Sequence, residues 1–178
     1  VFKVRLYDES AQSYHRRYRQ IQHLKYQAIA TYLENSPLVD VGVGTGIGLK
    51  SIVEFTPVVG VDWSIEMLRI AFKQIKKSRK CDQAIMLVCA SAEALPFRDH
   101  AFPTAISITV IQNLSNIQVG IQELIRIVHP SGLLVVTALE KSLPLRKLEA
   151  KFNQISVPIA RLENLGREDG GLIYQLPG

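Results

Sequence analysis

The stretch Val39-Asp40-Val41-Gly42-Val43-Gly44-Thr45-Gly46-Ile47-Gly48 constrains this chain more than any other part of it. The apolar run 38–41 reads as a buried strand, the glycines at 42, 44, 46 and 48 break it, and residues 49–54 have the makings of a short helix. Glycines allow a tight turn and close backbone approach to a ligand, and the start of the following helix presents free amide donors. Dinucleotide sites use similar geometry through G-x-G-x-x-G, but that pattern is loose. Here the glycines fall two apart, so the register differs.

The remaining sequence alternates between strand and helix signals. Residues 10–34 carry one long helical pattern or two shorter ones, with Tyr14, Tyr18, Ile21, Ala28 and Ile29 near one face and Asn35-Ser36-Pro37 as the stop. Strands are predicted at 58–61, 85–89, 105–111 and 133–137. Between them, Ser64 and Asn116 stand where helix N-caps belong, and Pro130-Ser131-Gly132 reads as the stop of the second helix. Ser142 with Pro144 opens another helix, and 157–162 and 172–176 are expected to pair antiparallel at the sheet edge. The fold class is therefore α/β: a single-domain, doubly wound, mostly parallel seven-stranded sheet with helices on both faces and a C-terminal strand hairpin. A ligand site belongs at the carboxyl ends of the strands, near the switch in strand order. Residues 1–36 form an N-terminal helical segment suited to a lid or substrate wall, and 37–178 form the core.

Composition narrows the class. With 178 residues, 47% hydrophobic and two cysteines, the chain fits one globular core and excludes a disordered tract or a disulfide scaffold. Cys81 and Cys89 form no C-x-x-C pair and have no histidine at zinc-site spacing, so no metal is expected. The near-apolar stretches 105–111 and 132–139 fall well short of the ~20 residues that span a bilayer, and no signal-peptide pattern is visible. A cytoplasmic protein without membrane contact is the simplest expectation. The formal charge of +5 favours acidic partners weakly. Most of that excess lies early, where Lys3, Arg5, Arg16, Arg17, Arg19 and Lys25 outnumber Asp8 and Glu9.

Asp62 ends the second strand about 20 residues beyond the glycine loop, where a carboxylate can accept hydrogen bonds from both hydroxyls of a ribose. Trp63, the only tryptophan, is large enough to lie against an adenine ring. The competing reading makes Asp62 a helix cap and Trp63 core filler.

At these residues the chain resembles a class I S-adenosylmethionine-dependent methyltransferase, and in particular the ubiquinone-biosynthesis-like, small-molecule branch. The family's first motif resembles Val39–Gly48, and its acidic second-strand end resembles Gly60-Val61-Asp62-Trp63-Ser64. Its adenine loop resembles Ala90-Ser91-Ala92-Glu93-Ala94-Leu95-Pro96-Phe97, and its later region resembles Val110-Ile111-Gln112-Asn113-Leu114 through Gly132. The likeness covers residues 7–138, beginning with Tyr7-Asp8-Glu9-Ser10.

This resemblance implies S-adenosylmethionine as cofactor. Gly42, Gly44 and Gly46 would wrap its methionine part, and Asp40 would order the loop and meet the amino group through water. Asp62 would bind the ribose. Trp63 and Met67 would flank adenine, Ser91 and Ala92 would lie at its polar edge, Glu93 would line the crevice, and Gln112 would approach the methionine or ribose side. Two positions depart from the pattern: Ser91 stands where many relatives have Asp, and Pro103 where they have an acidic residue.

No residue announces itself as a base, and the asparagine-proline-proline-aromatic motif of amino-group methyltransferases is absent near Asn113. Tyr14 is the candidate for positioning an acceptor, the alternative being that Tyr14 and Tyr18 are plain packing residues. His15 and His23 are wall candidates or simply exposed, and Asp99 and Glu123 read as supporting residues. Transfer to an already nucleophilic acceptor can proceed by positioning alone. The leading function is methyl transfer to a small or moderately sized acceptor. RNA is the alternative acceptor, given the basic, tyrosine-containing start of the chain. A noncatalytic cofactor-binding or partner-activating subunit and a nicotinamide-dependent oxidoreductase remain as other classes, and the oligomeric state is open.

Overall fold

The computed structural model describes residues 2–33, 36–52, 57–77, 85–152 and 157–178, with side chains in the first helix described at residue 11 and from 13 onward. Helix α1 runs Phe2–Ala30, followed by β1 (Leu38–Val41), α2 (Leu49–Ile52), β2 (Val58–Asp62), α3 (Ile65–Lys76) and β3 (Ile85–Cys89). The second half comprises β4 (Phe102–Ser107), α4 (Ile117–Ile127), β5 (Val128–Leu139), α5 (Leu145–Lys151), β6 (Ala160–Leu165) and β7 (Asp169–Gln175). The seven strands form one sheet in the order β3-β2-β1-β4-β5-β7-β6. The first five run parallel, whereas β7 pairs antiparallel with both β5 and β6. This is the mostly parallel, doubly wound sheet with an edge hairpin that the sequence predicts.

The two-residue alternation of each strand assigns the faces. Val39, Val59, Ala105 and Leu134 point into one core with Ile121 and Leu124 of α4 and Leu148 of α5. Their neighbours Leu38, Val58, Ile106 and Val135 point into a second core with Tyr26 and Ile29 of α1, Leu49 and Ile52 of α2, and Leu68 and Ile75 of α3. Ser64 accepts from the Met67 amide and Asn116 from the Val119 amide, so both predicted caps close their helices, each typically contributing ~1 kcal/mol.

Several boundaries differ from the sequence reading. Helix α1 is one continuous helix that starts near the beginning of the chain and ends at Ala30, ahead of the Ser36–Pro37 signal. Strand β4 starts at Phe102 rather than 105 and leaves the sheet after Ser107. Thr109 takes a left-handed φ of 63°, and its amide donates to both the carbonyl and the hydroxyl of Thr137. The predicted strand at 105–111 thus ends early, and residues 111–113 form a single 3-10 turn. The Pro130–Gly132 signal does not end α4, which stops at Ile127 and passes directly into β5. Phe102 pairs with Val128 and Thr104 with Leu133, so β5 advances five residues while β4 advances two. Pro103 lacks an amide donor at that irregularity, and Pro130-Ser131-Gly132 supply the bulge. The edge strands start and end slightly off the predicted bounds, turning at 166–168.

No helix among the described residues is long and apolar enough to cross a membrane. Cys81 lies outside the described residues, and Cys89 is an exposed free thiol.

Candidate functional site

Parallel strands deliver their carboxyl ends to one edge of the sheet, and strand order reverses between β1 and β4. At that point a cleft enclosing about 710 Å³, partly open to solvent, is lined by Gly42 and Gly44 after β1, Asp62 and Trp63 after β2, Ala90–Glu93 after β3, and Ile108–Val110 after β4. Met67 from α3, Tyr14 from α1, and Asn113 with Leu114 complete the wall.

The glycine loop has the backbone its composition allows. Gly42 has a φ of 89°, and a Cβ built there would lie 2.1 Å from Cγ2 of Val110. Only glycine combines that left-handed conformation with that close approach. Gly48 packs equally tightly on the other side, where a Cβ would meet the Tyr26 ring at 2.2 Å.

Asp62 is held by the loop it faces. Its Oδ2 accepts from the Gly44 amide at 2.9 Å and its Oδ1 from the Ser64 amide at 2.9 Å. Each carboxylate oxygen has a second lone pair, so this fixed group still has acceptor capacity toward the cleft. Asp62 lines the cleft and accepts from the amide of Ser64, the residue that itself caps α3.

Asp40 lies deeper and does not line the cleft. It is fully buried, accepts from the Tyr26 hydroxyl at 2.8 Å through Oδ2, and leaves Oδ1 without a hydrogen-bond partner among the described residues. Burial pushes its carboxyl up to about 7, with the Tyr26 hydrogen bond opposing the rise and the Asp62 charge adding to it. Burial, and then the Asp40 charge, raise the Tyr26 phenol well above its ordinary range.

The loop after β3 is fastened to α4. Ser91 Oγ accepts from the Glu93 amide, and Glu93 Oε1 accepts from the Asn116 amide at 2.7 Å. Glu123 accepts from the Leu95 amide, while Arg126 donates to Glu123, Asp99 and the carbonyls of Leu95 and Phe97. Arg126 hydrogen bonding holds the Glu123 carboxyl below its usual range. Asp99 and Glu123 are therefore supporting residues, clasped by an arginine to which sequence pattern assigned no role.

Tyr14 lines the cleft, contacts the Tyr18 ring at a centroid distance of 4.7 Å, and accepts from Gln22 through its hydroxyl. His15 bonds Thr45 of the glycine loop at 2.9 Å, and His23 bonds Ser51. Besides Asp40, two further candidates stand away from the cleft wall. Gly46 faces the opposite side of the loop, beneath α1. Gln112 donates to the Thr109 carbonyl, while Val110 and Asn113 line the wall instead. The 3-10 turn at 111–113 changes which residue faces the cleft, a rotation that a strand reading could not register. Thr109 and Val110 were missed as lining residues, and their only signal is their place just beyond a strand end.

No group of three or more His, Cys, Asp or Glu able to hold a metal ion occurs among the described residues. The donor set instead suits a nucleoside: a fixed carboxylate for vicinal hydroxyls, an indole and a thioether for a flat ring, and a glycine turn for close contact.

Comparison with known proteins gives the same direction. A family model described as a methyltransferase domain matches residues 39–136. The demethylmenaquinone methyltransferase of Porphyromonas gingivalis is 31% identical over 108 residues, covering 58% of this chain and 44% of that protein. The ubiquinone/menaquinone biosynthesis C-methyltransferase UbiE of Syntrophotalea carbinolica is 38% identical over 116 residues, covering 64% of this chain and 47% of that protein. The chain thus spans less than half the length of either relative. A crystal structure of a SAM-dependent methyltransferase from Aquifex aeolicus superimposes with a TM-score of 0.80 at 15% identity, covering 95% of this chain and 98% of that one, a likeness of fold.

Proposed function

Because this chain belongs to the methyltransferase-domain family matched over residues 39–136, we propose that it transfers a methyl group from S-adenosylmethionine to a small acceptor. The observation that carries the reading is Asp62, a carboxylate fixed by the Gly44 and Ser64 amides at the mouth of the β2 strand. There it suits the ribose hydroxyls, with Trp63 and Met67 against adenine and Ser91 and Ala92 at the polar edge of the ring. Gly42 and Gly44 take the methionine portion. Asn113 replaces Gln112 as the polar side chain on the β4 side, since it is the one that lines the cleft.

Bound S-adenosylmethionine supplies an electrophilic sulfonium methyl. The chain's own task is then to orient an acceptor and exclude water. Tyr14, Ile108, Val110 and Leu114 offer a mainly apolar wall for that acceptor. This wall, and the identity of 31–38% to quinone-pathway methyltransferases, support placement near the ubiquinone-biosynthesis-like branch.

The test is calorimetric titration with S-adenosylhomocysteine, followed by transfer of labelled methyl to a panel of small aromatic acceptors and to RNA. Binding in the micromolar range and label in a small molecule are expected. Label in RNA alone would replace the small-acceptor reading, and binding without transfer would favour a noncatalytic subunit. A folded protein that ignores S-adenosylhomocysteine but binds a nicotinamide dinucleotide would overturn the proposal.

A further inference from the structure

A second cleft lies on the far side of the glycine loop, between α1, α2 and α3. It encloses about 600 Å³, partly open to solvent, and its wall includes His15, Arg19, His23, Gly46, Lys50 and Gln74. His15, Arg19 and His23 follow one another at four-residue steps, so α1 presents them on one face. Lys50 of α2 opposes that face, and Gln20 and Gln74 add amide groups at the rim. No carboxylate stands among the described residues lining this cleft.

Like charges converging in a concavity repel one another, and the described residues lining this cleft supply no counter-charge. Arg19 and Lys50 have no ion-pair or hydrogen-bond partner among the described residues. Burial first, then the charges of Arg19 and Lys50, hold the His15 imidazole below its ordinary pKa range. An arginine fork, an ammonium and two imidazoles around a pocket are the donor set that recognises tetrahedral oxyanions. The ordinary alternative is a solvated basic helix face, but such a face needs neither concavity nor a second cationic side chain opposing it from another helix.

We propose that this cleft is a phosphate-binding site, separate from the cofactor cleft and reached from the opposite side of the glycine loop. Arg19 and Lys50 grip the phosphate oxygens, and His15 and His23 close the sides. His15 already bonds Thr45 through Nδ1, so an occupied site braces the loop from behind, next to the residues that face the cofactor cleft. The phosphate belongs either to a free phosphorylated molecule or to a nucleic-acid backbone. The site stands on its own geometry and does not depend on the methyl-transfer reading.

The full chain is titrated at low salt with inorganic phosphate, with pyrophosphate and with a single-stranded RNA oligomer, following backbone amide NMR shifts. The same titrations are repeated on Arg19→Gln/Lys50→Gln, two exposed positions whose change leaves the core untouched. Saturable shifts centred on residues 15–23 and 46–50, weakened by about tenfold or more in the double variant, are expected. Saturation by pyrophosphate at millimolar concentration or below assigns the site to a free phosphorylated ligand. Saturation by RNA alone, falling steeply with salt, assigns it to a polymer backbone. Unchanged circular dichroism of the double variant, with unchanged amide shifts away from residues 15–23 and 46–50, serves as the control for an intact fold. Absence of saturable binding for all three probes, or equal binding by the double variant, overturns the proposal.

Discussion

Lys25 Nζ lies 2.8 Å from Asp169 Oδ1, and solvent reaches neither side chain. Lys25 sits near the C-terminal end of the first helix and Asp169 opens the last strand, so this pair ties α1 to β7. The second carboxylate oxygen of Asp169 accepts from the hydroxyls of Thr109 at 2.6 Å and Thr137 at 2.7 Å. Lys25 also donates to Thr109 Oγ1. Thr109 is a β-branched residue with positive φ on the wall of the cofactor cleft, a strained conformation that persists only where its surroundings over-determine it. The buried pair is what over-determines it here.

Removing Lys25 leaves the buried Asp169 carboxylate without its cation, whereas removing Asp169 leaves Lys25 its second partner, the partly exposed Glu168 at 3.2 Å. Lys25→Met should therefore destabilise the fold by ~3–5 kcal/mol in urea denaturation. Lys25→Met/Asp169→Asn keeps an acceptor for the two threonines while removing the stranded charge, and should cost far less than the sum of the single changes. A single-variant loss of only a few tenths of a kcal/mol would mean that the pair is not buried as described.

Asp40 gives the fold a pH dependence of definite sign. Its carboxyl, pushed up to about 7 by burial, binds its proton more tightly in the folded chain than in the unfolded one, where the ordinary value is 3.8. The contribution to stability is complete at acid pH and is lost as pH rises through the window from 3.8 to about 7. Over those roughly three pH units it amounts to ~4 kcal/mol. Asp40→Asn cannot ionise, yet its carbonyl still accepts from Tyr26. The variant should lose that downward slope and gain on the wild type as pH rises toward 8. Parallel stability profiles for the two proteins would remove the buried carboxylate from the explanation.

What the sequence made legible follows from the range of each interaction. Strand alternation, the caps at Ser64 and Asn116, and the glycine run are local patterns, and all three place elements correctly. The reversal of strand order that opens the cleft follows from right-handed connections across an alternating chain. Lys25 and Asp169 are 144 residues apart in sequence, and no local pattern in either segment announces a partner. Pro130-Ser131-Gly132 misled because proline and glycine signal a break in any regular structure, and here the break is a strand bulge rather than a helix stop. Gln112 was displaced by a single 3-10 turn, which changes the facing residue without changing composition. Arg126 escaped notice because an arginine in the last turn of a helix has an ordinary explanation in the helix dipole.

Asp62 carries the cofactor assignment. Asp62→Ala removes the acceptor proposed for the ribose hydroxyls and also the brace on the Gly44 amide. Affinity for S-adenosylhomocysteine should fall by ~1–3 kcal/mol, roughly fivefold to 150-fold, in a variant whose circular dichroism is unchanged. Asp62→Asn keeps one acceptor oxygen and should fall in between. Full affinity in a folded alanine variant would sink the ribose role.

Gly42 tests the shape of the cleft floor. An alanine there carries two separate penalties: a φ of 89°, and a Cβ placed 2.1 Å from Val110 Cγ2. Together these should cost ~2–4 kcal/mol, as left-handed strain plus overpacking. The two parts separate in a double variant, because Val110→Ala removes the colliding methyl and leaves the backbone strain in place. Gly42→Ala/Val110→Ala should recover ~1–2 kcal/mol of the loss relative to the additive sum, read from paired denaturation curves. Strict additivity would show that Val110 does not press on Gly42, and a neutral Gly42→Ala would show that the loop does not take its left-handed turn at this residue.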